Sequence, residues 1–261
     1  MIDRTHHQPA TAQRVTAAIA NASSRTGVSF DYLMDQARIE SGMHPDARAA
    51  TSSATGLYQF TKQTWLGTVK QHGADHGLGW AAGAITQRSD GTFAVADGAL
   101  RSSILDLRTN PEAAAAMAAE FAADNSEYLQ SHVGNSPEHV DLYLAHFLGA
   151  EGAARFLSAH KDDPEQPAAL LFPAAAAANR SIFYRQDGTS RSLSDIRGQF
   201  AAKLGNSTGV ATPLGRPALR VAHSTTGERR SLSLGQMAPM PKKLDLDFAR
   251  EAYRRLSGST A

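Results

Sequence analysis

A single glutamate, Glu40, stands near the end of the amphipathic run VSFDYLMDQARIESG, residues 28–42, in which Gly42 reads as the residue past a helix C-cap. A carboxylate in the last turn faces the negative end of the helix dipole and its unpaired carbonyls, which disfavours ionisation. Apolar neighbours would push the same way through desolvation. A carboxylic acid that keeps its proton is what glycosidic cleavage needs, because the leaving oxygen must be protonated as the bond breaks. The competing reading is an ordinary solvated surface group, since acids are seldom buried. No neighbouring acid is marked out as a partner: Asp35 lies five residues earlier, roughly 140° round a helix, and Asp46 falls in the following loop.

Other chemistries find little support. The histidines show no HExxH or comparable ligand spacing, so neither a metal nor any other cofactor is called for. No G-x-G-x-x-G or GxxxxGK[ST] run occurs, and no serine sits in a G-x-S-x-G elbow. The chain has no cysteine, which removes disulfides, thiol nucleophiles and thiolate metal sites together.

Hydrophobic spacing predicts a mainly α-helical protein. A first helix runs over about 11–26 with Val15, Ile19 and Ala22 inward, and Ser29 caps the helix that carries Glu40, with Phe30, Leu33, Met34 and Ala37 on one face. After an irregular stretch from Ala49 to Thr55, a third helix begins near Thr61 with Trp65, Leu66 and Val69 inward, ending at Gly73. Asp90-Gly91 between short alternating runs predicts a β-hairpin over 85–95. Asn110-Pro111-Glu112 starts an Ala-rich helix reaching about Leu129, and Ser136-Pro137-Glu138 repeats that grammar before a stripe of Val140, Tyr143, Leu144 and Phe147. Further helices are expected at about 151–160, 165–180 and 192–204, the last with Ile196, Phe200 and Leu204 in register.

The 261 residues, 42% apolar and 20% charged, suffice for one medium domain and an appendage, and the formal net charge of +1 gives no sign of a nucleic-acid or anionic-membrane partner. The most apolar run, AALLFPAAAAA, is too short and Pro-broken to span a bilayer. The expected organisation is a catalytic domain over 1–204, a flexible linker over 205–240 rich in Ser, Thr, Gly, Pro and Arg, and an amphipathic helix over 241–261 with Leu244, Phe248, Ala252 and Leu256 in line. That last helix either docks back on its parent domain or binds a partner.

Glu40-Ser41, with Gly42 and Pro45, and then Gly56-Leu57-Tyr58-Gln59 resemble the two leading motifs of the soluble-type lytic transglycosylases, a Glu-Ser pair followed by Gly-Leu-Met-Gln. Tyr58 stands where that family has Met, and the resemblance covers about residues 12–185. It implies a lysozyme-like helical fold that cuts the β-1,4 bond between N-acetylmuramic acid and N-acetylglucosamine in peptidoglycan. In such enzymes one glutamate protonates the glycosidic oxygen and then takes the proton of the muramoyl C6 hydroxyl, giving a 1,6-anhydro product. The substrate's acetamido group stands in for the second carboxylate of the usual pair.

Carried over by this resemblance, Glu40 is the catalytic acid and base, and Ser41 supports it through a hydrogen bond. Gln59 reaches the substrate, Gly56 lets backbone approach the sugar, and Tyr58 lines the cleft. For Gly56 and Tyr58 the plain alternatives are a loop turn and a half-buried aromatic. The third family motif, Ala-Tyr-Asn-Ala-Gly, is matched by Ala145-His146-Phe147-Leu148-Gly149 at its outer positions only. His146 either hydrogen-bonds sugar or Glu40 or is a satisfied core histidine; Tyr143, one turn earlier, is assigned to the core. The segment Ala178-Asn179-Arg180-Ser181-Ile182-Phe183-Tyr184 resembles the closing segment of relatives whose tyrosine points at the acid, which nominates Tyr184.

Two rival functions stay open: a goose-type lysozyme-like hydrolase of the same bond, and an assembly or adaptor protein acting through its C-terminal tail. YLAHFLGAEGAARFL and ANRSIFY look most like transglycosylases of flagellar assembly in Alphaproteobacteria. That resemblance implies work in the periplasm, on peptidoglycan strands, with a flagellar rod or secretion-apparatus protein as partner of the tail. MIDRTHHQPATAQRV lacks the apolar core of a Sec signal, so export by a specialised route, or a signal removed, is expected.

Overall fold

A computed structural model of the chain describes residues 7–50 and 52–205. The expected linker beyond Gly205 and the helix at 241–261 lie outside the described residues. Among the described residues the fold is mainly helical, with one two-stranded sheet.

Helix α1 spans His7–Thr26, with Val15 and Ile19 fully buried. Helix α2, Phe30–Ser41, begins where the Ser29 hydroxyl accepts the Tyr32 N–H and ends at Gly42, whose left-handed φ of 61° lets the Gly42 and Met43 amides close on the Arg38 and Ala37 carbonyls. That C-terminal motif is one a Cβ would strain, and it holds Glu40 in the final turn. Thr61 caps α3, Lys62–His72, which buries Trp65, Leu66 and Val69 and passes into a short 3-10 turn, Gly73–His76. Helix α4, Gly79–Ala84, leads into strand β1, Ile85–Gln87, which pairs antiparallel with β2, Phe93–Val95, around the expected Asp90-Gly91 turn. Asp97 then caps α5, Gly98–Asp106.

The central element is α6, Pro111–Val133, with Asn110 as cap and Pro in its first turn. Its first half is alanine on nearly every side, and Ala113 to Ala119 with Met117 are all buried. A helix apolar all round belongs in a core, and small side chains let neighbours approach closely. Around α6 pack α1, α2, α3, α7 (His139–Leu148) and α8 (Ala150–Asp162). The chain returns through α9 (Ala168–Leu171), α10 (Pro173–Ala178) and α11 (Arg180–Phe183) to α12, Leu193–Gly205. Helix α12 packs on both α2 and α7, and Phe200 meets Tyr143 and Phe147 edge to face, each at 5.3 Å between ring centroids. The two helices that carry Glu40 and His146 are thereby braced from one side.

Three expectations need correction. The helix expected at 165–180 is two short helices, α9 and α10, with α11 starting only at Arg180, because Pro173 cannot continue α9 and Phe172 and Asn179 leave helical geometry at φ −127° and −132°. Helix α7 is capped by Glu138, whose N–H donates to the Asp141 carboxylate at 2.9 Å, so the Ser-Pro-Glu run does not repeat the Asn-Pro-Glu start. Helix α6 also runs four residues past Leu129, to Val133.

An imidazole-carboxylate cluster ties the end of α3 to α6. His72 Nε2 lies 2.8 Å from Asp124 and its Nδ1 3.5 Å from Glu120, while His76 Nε2 lies 2.6 Å from Glu120. Burial alone would lower the His72 pKa, but the Asp124 hydrogen bond and the charges of Asp124, Glu120 and Asp75 together leave it raised. A raised folded pKa means stabilisation that is complete below the unfolded value of about 6.5 and is lost as pH rises through the folded value. Urea unfolding should therefore show stability falling on that rise, and His72→Gln should shrink the fall relative to wild type; an equal pH slope in both proteins would refute the assignment.

Candidate active site

Glu40 is 1% exposed, at the point where the C-terminal turns of α2 and α7 converge. Its Oε1 receives the His146 Nε2 at 3.2 Å and, at a longer 3.5 Å, the Tyr143 hydroxyl. Tyr32 lies close enough that burial first and the Glu40 charge second push its hydroxyl pKa up. Three carboxylates among the described residues are buried, and two of them face arginine: Asp35 with Arg38 at 3.1 Å and Asp141 with Arg197 at 3.0 Å. Glu40 faces an imidazole and a phenol.

Gln36 stands one turn before Glu40 on the same helix face, and its Nε2 lies 3.2 Å from His146 Nδ1. With the amide donating to Nδ1, a neutral ring carries its proton on Nε2, toward Glu40. In this orientation the buried Gln36 Oε1 has no hydrogen-bond partner.

Beside the histidine opens a small recess lined by Phe60, Thr61, Thr64, Phe121 and His146. Its walls mix aromatic faces with hydroxyls, and Phe121 meets both Phe60 and His146 near edge-on at 6.4 Å.

The segment that frames this recess, residues 52–60, takes its shape from backbone contacts with Arg108. The Arg108 guanidinium donates to the carbonyls of Ser53 at 2.7 Å, Phe60 at 3.1 Å and Leu105 at 2.8 Å. Burial, with a smaller contribution from the Arg48 charge, lowers the Arg108 pKa. Gly56 has φ of 87°, and a Cβ there would lie 1.8 Å from the Arg108 carbonyl oxygen. Gln59 follows at φ of 50°, with its side-chain Nε2 donating to the carbonyls of Gly56 at 2.7 Å and Ala47 at 3.0 Å.

These positions revise several expected roles. Glu40, His146 and the segment 56–60 do come together. Ser41 donates to the Ala37 carbonyl at 3.0 Å, the ordinary back-bond of a helical serine, instead of to Glu40. Gly56 admits backbone, but the backbone is that of Arg108, not a sugar. The Gln59 amide donors hold the loop and are not presented to a ligand. Tyr58 is 1% exposed with its hydroxyl buried and unpartnered, a core residue and not a cleft wall. Burial pushes its pKa up, and nearby Tyr32 adds to this. Tyr184 is half-buried under the Arg180 guanidinium, 4.8 Å from ring centre to carbon, and makes no hydrogen bond to Glu40. The hydroxyl that reaches the acid belongs to Tyr143.

Sequence reasoning missed Gln36, Phe121 and Arg108. Gln36 carried a usable signal, four residues before the acid, as did Tyr143, three before His146. Arg108 carried none, since its partners in this segment, Ser53 and Phe60, lie about fifty residues away in the chain. Among the described residues no group of three His, Cys, Asp or Glu side chains is placed to hold a metal ion, and no helix is long and apolar enough to cross a membrane. Searched against known protein families, the chain matches no family model.

Because a Cβ at Gly56 would meet backbone that cannot yield, Gly56→Ala should lower unfolding stability by about 3 kcal/mol or more. Arg108→Met, which leaves three carbonyls without their donor, should cost about 2–4 kcal/mol and expose the 52–60 segment to proteolysis. Denaturant titration with limited proteolysis checks both, and a Gly56→Ala protein as stable as wild type would show the loop packs otherwise.

Proposed function

We propose that the protein is a peptidoglycan lytic transglycosylase with Glu40 as its single acid and base. The observation that carries this reading is the setting of Glu40: a buried carboxylate at a helix C-terminus, met among the described residues by His146 and Tyr143, next to a recess walled by aromatic rings and hydroxyls. Asp35 and Asp141, the other buried acids among the described residues, are paired with arginines and so poorly suited to act as a second catalytic carboxylate. That agrees with a mechanism needing one acid, the exception to the two-carboxylate scheme. The Glu40-Ser41 and Gly56-Leu57-Tyr58-Gln59 resemblance supports the same reading.

In the proposed reaction Glu40 gives its proton to the glycosidic oxygen as the C1–O bond breaks. The resulting carboxylate then takes the proton of the C6 hydroxyl while O6 bonds to C1. The products are a free 4-hydroxyl on one sugar and a 1,6-anhydro ring on the other, with no water consumed. Tyr143, directed at Oε1, holds the carboxylate in one orientation through this exchange. The substrate places the work in the periplasm. The flagellar resemblance of the 143–157 and 178–184 segments supports local wall opening during assembly of a flagellum or secretion apparatus, with the C-terminal extension contacting a rod or apparatus protein.

Digestion of purified sacculi followed by mass spectrometry tests the reading. Wild type should release muropeptides lighter than reducing muropeptides by one water, and Glu40→Gln should cut release by about 10²- to 10⁴-fold. Reducing-end products would move the assignment to a lysozyme-like hydrolase, and release by neither protein would leave an adaptor role.

A further inference from the structure

Glu40 does not line the recess; His146 does. The imidazole, 8% exposed, stands between the recess and the 1% exposed carboxylate. It is held on three sides: Nε2 on Glu40 at 3.2 Å, Nδ1 on Gln36 at 3.2 Å, and its ring between Tyr143 at 5.8 Å and Phe121 at 6.4 Å. Both ring nitrogens point at protein groups, so the ring cannot hand a proton to a ligand in the recess without turning. A glycosidic oxygen must come within hydrogen-bond reach of the Glu40 carboxyl, about 2.6–3.2 Å, for proton transfer. With the ring in place, Oε1 is covered on the side of the recess.

We infer that His146 is a displaceable cap on Glu40, latched by Gln36, and that a glycan entering the recess turns the imidazole aside to reach the acid. The inference rests on the proposed role of Glu40, but the cap itself is a property of the resting protein. His146 is a positioning residue in this scheme: it shields and orients the acid, and its displacement admits substrate. The latch is weak by construction. Closing it leaves Gln36 Oε1 buried without a partner, an unpaired acceptor that disfavours the closed state and is relieved when the Gln36 amide is free to turn. The neighbouring wall is rigid, since Thr61 and Thr64 are tied to each other at 3.0 Å at the start of α3 and Phe60 packs edge to face on Trp65 at 5.3 Å. A ring on one χ1 turn is therefore the part of this wall that can move with least disruption.

The same geometry gives His146 a second consequence: the open fraction of the protein sets apparent affinity for glycan. A ligand that binds only the open form loses affinity in proportion to the fraction closed. Removing the ring removes that penalty.

Carbodiimide-driven coupling of taurine to carboxylates, on the full-length folded protein, reads the cap directly. Glu40 and Asp46 fall in one tryptic peptide, residues 39–48, so exposed Asp46 serves as internal reference for each sample. Wild type should label at Asp46 and spare Glu40. His146→Ala should raise Glu40 labelling about tenfold or more relative to Asp46, the factor expected when a minor open state becomes the only one. His146→Gln, which keeps an amide donor at the position of Nε2, should restore protection, and Gln36→Leu should give an intermediate gain. Circular dichroism and thermal midpoints confirm that each variant is folded. Glu40 labelled in wild type as readily as in His146→Ala, or spared in both, overturns the cap. On soluble glycan strands His146→Ala should lower KM by a larger factor than kcat; a fall confined to kcat would place the ring in the chemistry and overturn the proposal. Labelling does not depend on turnover, so failure of the transglycosylase reading and failure of the cap give different results.

Discussion

Arg108 fixes the turn on which the wall of the recess depends. Its guanidinium sits in a buried position and gathers carbonyls from Ser53, Phe60 and Leu105, while its own carbonyl packs against Gly56 so closely that no side chain fits between. One residue just before α6 thereby fixes both ends of the turn that carries residues 56–60. A buried charge is tolerated when polar groups surround it, and three carbonyl oxygens do so here. The shape of the recess follows, because Phe60, Thr61 and Thr64 are placed by where that turn ends.

The second constraint is the contrast among buried carboxylates. Asp35 and Asp141 have arginines, which makes them structural. Among the described residues Glu40 has instead an imidazole and a phenol within hydrogen-bond reach. The aromatic side chains carry the rest of the arrangement. Trp65, Phe60, Phe121, His146, Tyr143 and Phe200 form a continuous series of ring contacts from α3 across α6 and α7 to α12. The wall of the recess is thus an extension of the hydrophobic core, and the acid is set just behind it.

Several residues that looked functional in the sequence turn out to build the loop. Gln59 and Gly56 satisfy and admit backbone, and Tyr58 fills the core. Together they shape the turn that ends at the recess. Tyr184 lies under Arg180, while Tyr143, read as core from its spacing, is both buried and directed at the acid.

Local physical rules in the sequence determined the helices, their caps and the position of Glu40 in a final turn, since spacing, Ser29, Thr61, Asn110 and Gly42 act within a few residues. They also marked the Asp90-Gly91 hairpin and the inward stripes of α1, α3, α7 and α12. Tertiary structure alone decided that Arg108 would pin a loop some fifty residues away, that Gln36 would meet a histidine from α7, and that His146 would cover the acid. Those contacts join segments far apart in the chain. Each depends on how α2, α6 and α7 pack, so no spacing in the sequence could encode it.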